Sequence, residues 1–222
     1  MSRVTRPSDR TVVLTGTTPQ GESVTLRPLR RGDRRDFIDL RSRNATWLAP
    51  WDPTTPPGGR PRRDLGRDFP GYVRALAREA KEGSGLSLVI VVEDEIVGMV
   101  AASSIVEGAL RSGSIGYWIG REVAGRWIAP TAVAMLGDHL MDPKGRALHR
   151  IQIEIVPENA ASLAVVAKLR MREEGTKRAY LHIGGSWRDH RSFAVVAEEV
   201  GVAGLTARLS HQYQQSQARH TE

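Results

Sequence analysis

Residues 116–140 read GYWIGREVAGRWIAPTAVAMLGDHL. An aromatic and β-branched run ends at Ile119, a loop carries Gly125 and Arg126, and a helix is expected to open at Pro130. Proline suits the first helical turn, where its missing N–H has no intrahelical partner to lose. From Pro130 to Met141, Val133, Leu136 and Leu140 fall on one helical face. A strand feeding a helix N-terminus presents unpaired backbone N–H groups and the positive end of the helix dipole. That geometry receives an anion, most often a phosphate; the alternative is a plain strand-to-helix connection.

Three antiparallel strands are expected before this stretch. They are Leu86–Val92, Ile96–Ile105 and about Ala109–Ile119, with turns at Glu93–Glu95 and Glu107–Gly108. After it, Arg150–Val156 alternates as a strand, with Ile151, Ile153 and Ile155 on one face and Gln152 and Glu154 on the other. Asn159 is a cap for a helix over Ala160–Met171, with Leu163, Val166 and Leu169 inward. Thr176–Ile183 and Trp187–Ala197 read as a last strand pair turning at Gly184–Gly185.

Nearer the N-terminus, Thr11–Leu14 and Ser23–Leu26 suggest a hairpin around TGTTPQGE. Asp33 is a cap candidate for a helix running to about Arg43, and Phe69–Lys81 has helical spacing. Between them, NATWLAPWDPTTPPGGRPRR (44–63) is too rich in proline and glycine for a regular element. Its Trp47 and Trp51 either line a substrate cleft or pack the loop onto the core. Residues 1–10 are expected to be a basic tail, 11–199 one domain, and 200–222 a polar tail, partly helical or disordered.

A length of 222 residues fits one domain with tails. The formal charge of +7 favours acidic partners: phosphate-bearing cofactors, nucleic acid or acidic protein surfaces. The alternative is an arginine-rich proteome. Without cysteine there are no disulfides, thiolate metal sites or cysteine nucleophiles. MSRVTRPSDR lacks a signal-peptide core, and no run approaches the roughly 18 apolar residues of a membrane helix. A cytoplasmic protein with no membrane partner is the expectation.

Several chemistries drop out by motif. There is no Gly-Lys-Ser/Thr phosphate loop, no dinucleotide fingerprint, no HExxH metal motif and no Gly-x-Ser-x-Gly elbow. What remains resembles the GNAT acetyltransferase superfamily, and most closely its ribosomal-protein N-terminal acetyltransferase branch (the RimJ/RimL type). The resemblance is carried by LRPLRRGD (26–33), WLAPWDP (47–53), IGYWI (115–119), PENAAS (157–162), EEG (173–175) and WRDH (187–190). It covers most of residues 24–198 in the family's order. It implies an α/β (α+β) fold with a mixed, mostly antiparallel, splayed sheet of about seven strands flanked by helices.

The resemblance also implies acetyl-CoA as cosubstrate, no metal, and direct acetyl transfer to an amine. The acceptor is a protein N-terminus or a small amine, with possible ribosome association and a monomer or a homodimer formed through an exposed last strand. The family's pyrophosphate loop matches Ala124, Gly125, Arg126, Trp127, Ile128 and Ala129. Two positions depart: Ala124 replaces Gln or Arg, and Trp127 replaces the central glycine. A Trp127 ring in the cleft blocks the pyrophosphate; turned away, it leaves the backbone cradle open. A backbone N–H near Trp118 or Ile119 is the implied donor to the thioester oxygen. Glu154 is the candidate base, or else a strand residue pairing with an arginine. Asn159 and Ser162 match positions that meet the pantetheine or thiol, and both also fit a helix cap. Tyr180 is either a proton donor to the thiolate or a core aromatic. Two competing readings remain: a binding module closed by Trp127, and an RNA-associated protein using Arg27–Arg35.

Overall fold

The computed structural model describes residues 12–60 and 64–218. Its chain order is β1 (Leu14–Thr17), β2 (Ser23–Pro28), α1 (Arg34–Arg43), α2 (Ala45–Leu48), α3 (Phe69–Glu82), β3 (Leu86–Val92), β4 (Glu95–Val106), β5 (Ser112–Ile119), α4 (Ile128–Met141), β6 (Arg150–Ile155), α5 (Ala160–Lys168), β7 (Arg172–Ile183), β8 (Ser186–Val196), α6 (Ala197–Val200) and α7 (Gly204–Ala218). The eight strands form one sheet in the order β1-β2-β3-β4-β5-β6-β8-β7. Every neighbouring pair is antiparallel except β5–β6. That parallel pair is in register only over Ser112–Ser114 and Arg150–Gln152, and beyond it the two strands part.

The hairpins follow from local chemistry. Glu93 and Asp94 both adopt positive φ, as do Gly184 and Gly185, which matches two-residue turns whose twist suits the flanking strands. The sheet buries both faces. Alternation along β3 sends Leu88 and Ile90 to a core with α4 and α7, and Val89 to a second core with Phe37 of α1 and Phe69 of α3. Helix α4 is buried nearly all round, from Ile128 to Gly137 and again at Leu140 and Met141. This explains why its apolar residues exceed one face.

Several sequence expectations shift. The first hairpin strand runs over Leu14–Thr17, so Gly16 and Thr17 belong to the strand and not the turn; Thr11 and the tail 1–10 lie outside the described residues. Asp33 does not cap α1. Its carboxylate instead takes the Arg30 N–H and both arms of Arg27. Residues 45–48 of the supposed loop form α2. Helix α4 begins at Ile128, which makes Pro130 its third residue. Beyond residue 199, the described part of the segment expected to be a polar, partly helical or disordered tail holds helix α7 over Gly204–Ala218. Asp138 of α4 accepts the Leu205 N–H (2.5 Å), the Thr206 N–H (3.0 Å) and the Thr206 hydroxyl (2.7 Å), which fixes the start of α7. Leu205 and Leu209 then close the core over α4. The sheet edges are β1 and β7; the last strand, β8, is paired on both sides.

Candidate active site

One cavity of about 870 Å³ passes through the gap where β5 and β6 separate. Its lining alternates by face. Tyr117 and Ile119 side chains belong with the α4 core, whereas Trp118 belongs with the α1–α3 core. The same holds on β6: Ile151, Ile153 and Ile155 enter the α4 core and Glu154 turns to the other face. The cavity therefore joins both faces of the sheet.

On the α4 side lies the loop 124–129. Gly125 has φ of 87° and open space where a Cβ would stand. Trp127 has φ of 62°, so it keeps a left-handed backbone that glycine adopts far more readily. Its ring meets Tyr213 of α7 edge-on at 5.1 Å and carries the Lys168 ammonium at 4.1 Å. The first intrahelical bond runs from Thr131 N to Trp127 O (3.1 Å). The N–H groups of Ile128 and Ala129 precede it, and Pro130 has none to offer, so the helix start presents donors as an anion site requires. Ala124, Gly125, Trp127, Ile128 and Ala129 line the cavity. The side chain of Arg126 does not; it is paired with Glu22. Burial lowers the pKa of Lys168.

Across the gap, Asn159 caps α5 by accepting the Ser162 N–H (3.1 Å). The Ser162 hydroxyl is 2.7 Å from the Tyr117 hydroxyl, which also donates to the Ser162 carbonyl (3.2 Å). Burial pushes the Tyr117 hydroxyl well above the ordinary tyrosine pKa, against the smaller opposing effect of Ser162. Tyr117 was not singled out in the sequence, and Tyr180 was. Tyr180 is 42% exposed on β7, stacked edge-on with His190 and outside the cavity lining. Of these two tyrosines, Tyr117 lines the cavity.

Glu154 is the acidic group in the gap. Its side chain is only 7% exposed. Oε1 takes the Lys177 ammonium (2.6 Å) and the Ser192 hydroxyl (3.1 Å), while Oε2 is buried with no partner. Its ion-pair partner is therefore a lysine on β7, not an arginine. A buried carboxylate oxygen without a donor is costly unless something else supplies one.

The far wall is built by the tryptophan segment. Trp47 donates its indole N–H to Ile119 O (3.2 Å). Asn44 ties α1 to the turn after β5, accepting from Arg121 N (2.8 Å) and donating to Glu122 (3.2 Å). Arg41 lies 4.8 Å from the Trp118 ring and pairs with Asp52. Thr54 N donates to His182 O (2.8 Å), which pins the segment to the end of β7. Trp47 and Trp51 both line the cavity, so they wall it and brace the loop at once. Among the described residues, no cluster of histidine and acidic side chains is arranged to hold a metal, and no helix is long and apolar enough to cross a membrane.

A family model described as an acetyltransferase (GNAT) domain matches residues 23–172, and the chain belongs to that family of acetyltransferases. Among its relatives, the structure of Mycobacterium smegmatis RimJ in complex with CoA-disulfide superposes with a TM-score of 0.82 at 34% identity, covering 93% of this chain and 96% of that one. The chain is 28% identical over 160 residues to the ribosomal protein uS5-alanine N-acetyltransferase of Escherichia coli (strain K12), covering 69% of this chain and 77% of the relative. It is 27% identical over 183 residues to the probable N-acetyltransferase YjcK of Bacillus subtilis (strain 168), covering 80% and 96%.

Proposed function

We propose that this acetyltransferase uses acetyl-CoA and acetylates a primary amine, in particular the N-terminal amine of a protein. The observation that carries the reading is Glu154 Oε2, a buried carboxylate oxygen with no partner, lining one cavity with a phosphate-type loop. The residues present fit the cosubstrate. Gly125 leaves open space beside the free N–H groups of the loop, and the Trp127 ring is turned onto Tyr213 and Lys168. A binding module closed by Trp127 therefore loses its support.

The backbone N–H groups of Gly125, Trp127, Ile128 and Ala129 would hold the pyrophosphate, and Asn159 and Ser162 would flank the pantetheine arm. Acetyl-CoA supplies an acetyl thioester when bound. The incoming amine arrives protonated, and Glu154 Oε2 receives its proton so that the nitrogen lone pair is free to attack. Gly120 gives its N–H to Val97 O across β4 (2.8 Å). Alternation along β5 then turns the Ile119 N–H toward the gap, where it stabilises the developing oxyanion. As the C–N bond forms and the C–S bond breaks, the Tyr117–Ser162 hydroxyl pair would give a proton to the departing sulfur and be restored by the second proton the nitrogen loses; burial keeps the phenol neutral through the working pH range. The acceptor enters past Trp47 and Trp51.

The relative named as a ribosomal protein uS5-alanine N-acetyltransferase supports a protein alanine as acceptor, and the RimJ structure with CoA-disulfide supports a CoA thioester as donor. The test offers acetyl-CoA with a peptide bearing a free N-terminal alanine, the same peptide N-blocked, and a polyamine, and reads acetylation by mass spectrometry. A mass gain confined to the free N-terminus is expected. Acetylation of the polyamine alone would move the reading to small amines.

A further inference from the structure

The loop that replaces glycine with Trp127 also lacks a free cation of its own, since Arg126 is held by Glu22. Lys168 stands in that position from the other side. It ends α5, lines the same cavity as the loop, and rests on the Trp127 ring at 4.1 Å. No carboxylate pairs with it among the described residues. Burial strips part of its water, and no carboxylate makes up for it. The ring beneath it is fixed twice: by a left-handed backbone at Trp127 and by the edge of Tyr213.

We propose that Lys168, seated on the indole of Trp127, is the cation with which this protein binds a phosphate group of CoA. The inference rests on the acetyl-CoA reading above. In it, Trp127 is not an obstruction left where a glycine belongs. The residue keeps the glycine-like backbone and uses its ring as a platform, which cation–π attraction makes favourable for a partly dried ammonium. Helix α7 takes part through Tyr213, which holds the platform's angle. Two phosphates offer the same chemistry, the pyrophosphate and the 3′-phosphate.

The test measures binding, not turnover, by calorimetry with CoA and with dephospho-CoA, which lacks the 3′-phosphate. Lys168→Met keeps the stem and removes the charge, and its fold is checked by circular dichroism. CoA affinity is expected to fall about ten-fold, as for loss of a charge-assisted hydrogen bond, while Lys168→Arg stays within about three-fold of wild type. Loss with CoA alone assigns the 3′-phosphate; loss with both ligands assigns the pyrophosphate. Trp127→Gly restores the residue this backbone favours and removes the platform, so it is expected to bind CoA about five-fold more weakly. A folded Lys168→Met that binds CoA like wild type overturns the proposal, and tighter binding by Trp127→Gly overturns the platform. Wild-type protein that binds neither ligand overturns the acetyl-CoA reading and this inference with it.

Discussion

Glu154 divides its carboxylate between two tasks: Oε1 is held by Lys177 and Ser192, and Oε2 is left to the cavity. Glu154→Gln keeps the shape and removes the proton acceptor. Its kcat is expected to fall about 100-fold or more, with CoA affinity by calorimetry unchanged; an unaltered kcat would remove it as the base. Tyr117→Phe is expected to lower kcat about ten-fold with little change in KM, whereas Tyr180→Phe leaves both unchanged. A reversed result in steady-state kinetics would return the donor role to Tyr180. These two tyrosines mark the limit of the sequence. The polar face of the β6 strand is visible in the alternation RIQIEI, so Glu154 is legible there. That Tyr117 meets Ser162 depends on how α5 docks on β5, and no local pattern encodes that contact. Nor does spacing reveal Lys177, because β7 pairs with β8 through two register irregularities.

At the scale of elements, the loop 124–129 depends on helices α5 and α7, which meet it through Lys168 and Tyr213. Helix α7 has a polar composition, and its buried residues are Leu205 and Leu209 alone, which is why its sequence reads as a tail. Leu205→Ala is expected to cost about 2–5 kcal/mol in urea denaturation, since it opens a cavity above Gly137 of α4. Asp138→Ala, which removes the cap, is expected to cost about 1 kcal/mol in the same measurement. The β4–β5 contact is equally tight. A Cβ at Gly98 would stand 2.3 Å from the Trp118 carbonyl oxygen, so Gly98→Ala must push the two strands apart. It is expected to lower stability by about 1–3 kcal/mol and to raise KM by shifting Trp118 in the cavity wall. The start of α4 is not legible to the residue: Pro130 is compatible with the first turn at more than one position, and Trp127 gives no sequence sign of a left-handed backbone.

Across the whole molecule, the hairpins β3–β4 and β7–β8 were legible because their turns are local. The placement of β8 between β6 and β7 was not, since it is settled by pairing across the sheet. The gap itself was legible only through family resemblance. Binding across that gap ties the two halves of the sheet. CoA and acetyl-CoA at about 100 times Kd are therefore expected to add about 2.7 kcal/mol of stability, read as a rise in Tm that ATP does not match. Lys168 sets the opposite balance in the free protein. Its folded pKa is lowered from 10.5, so the unfolded chain binds that proton more tightly, and the charge opposes folding at neutral pH. The penalty fades only as pH rises from the lowered value toward 10.5. Lys168→Met is expected not to lower the Tm of the free protein at pH 7, even as it weakens CoA binding.

Tyr213 stands near the end of α7, far along the chain from the loop whose Trp127 ring it steadies. A chain made from its N-terminus therefore completes the sheet, both cores' strands and the tryptophan wall of the cavity before the brace for the loop 124–129 exists. On the acetyl-CoA reading, a nascent chain halted before α7 is expected to hold Glu154 in place with no firm grip on a donor, so that cosubstrate capture waits for that helix.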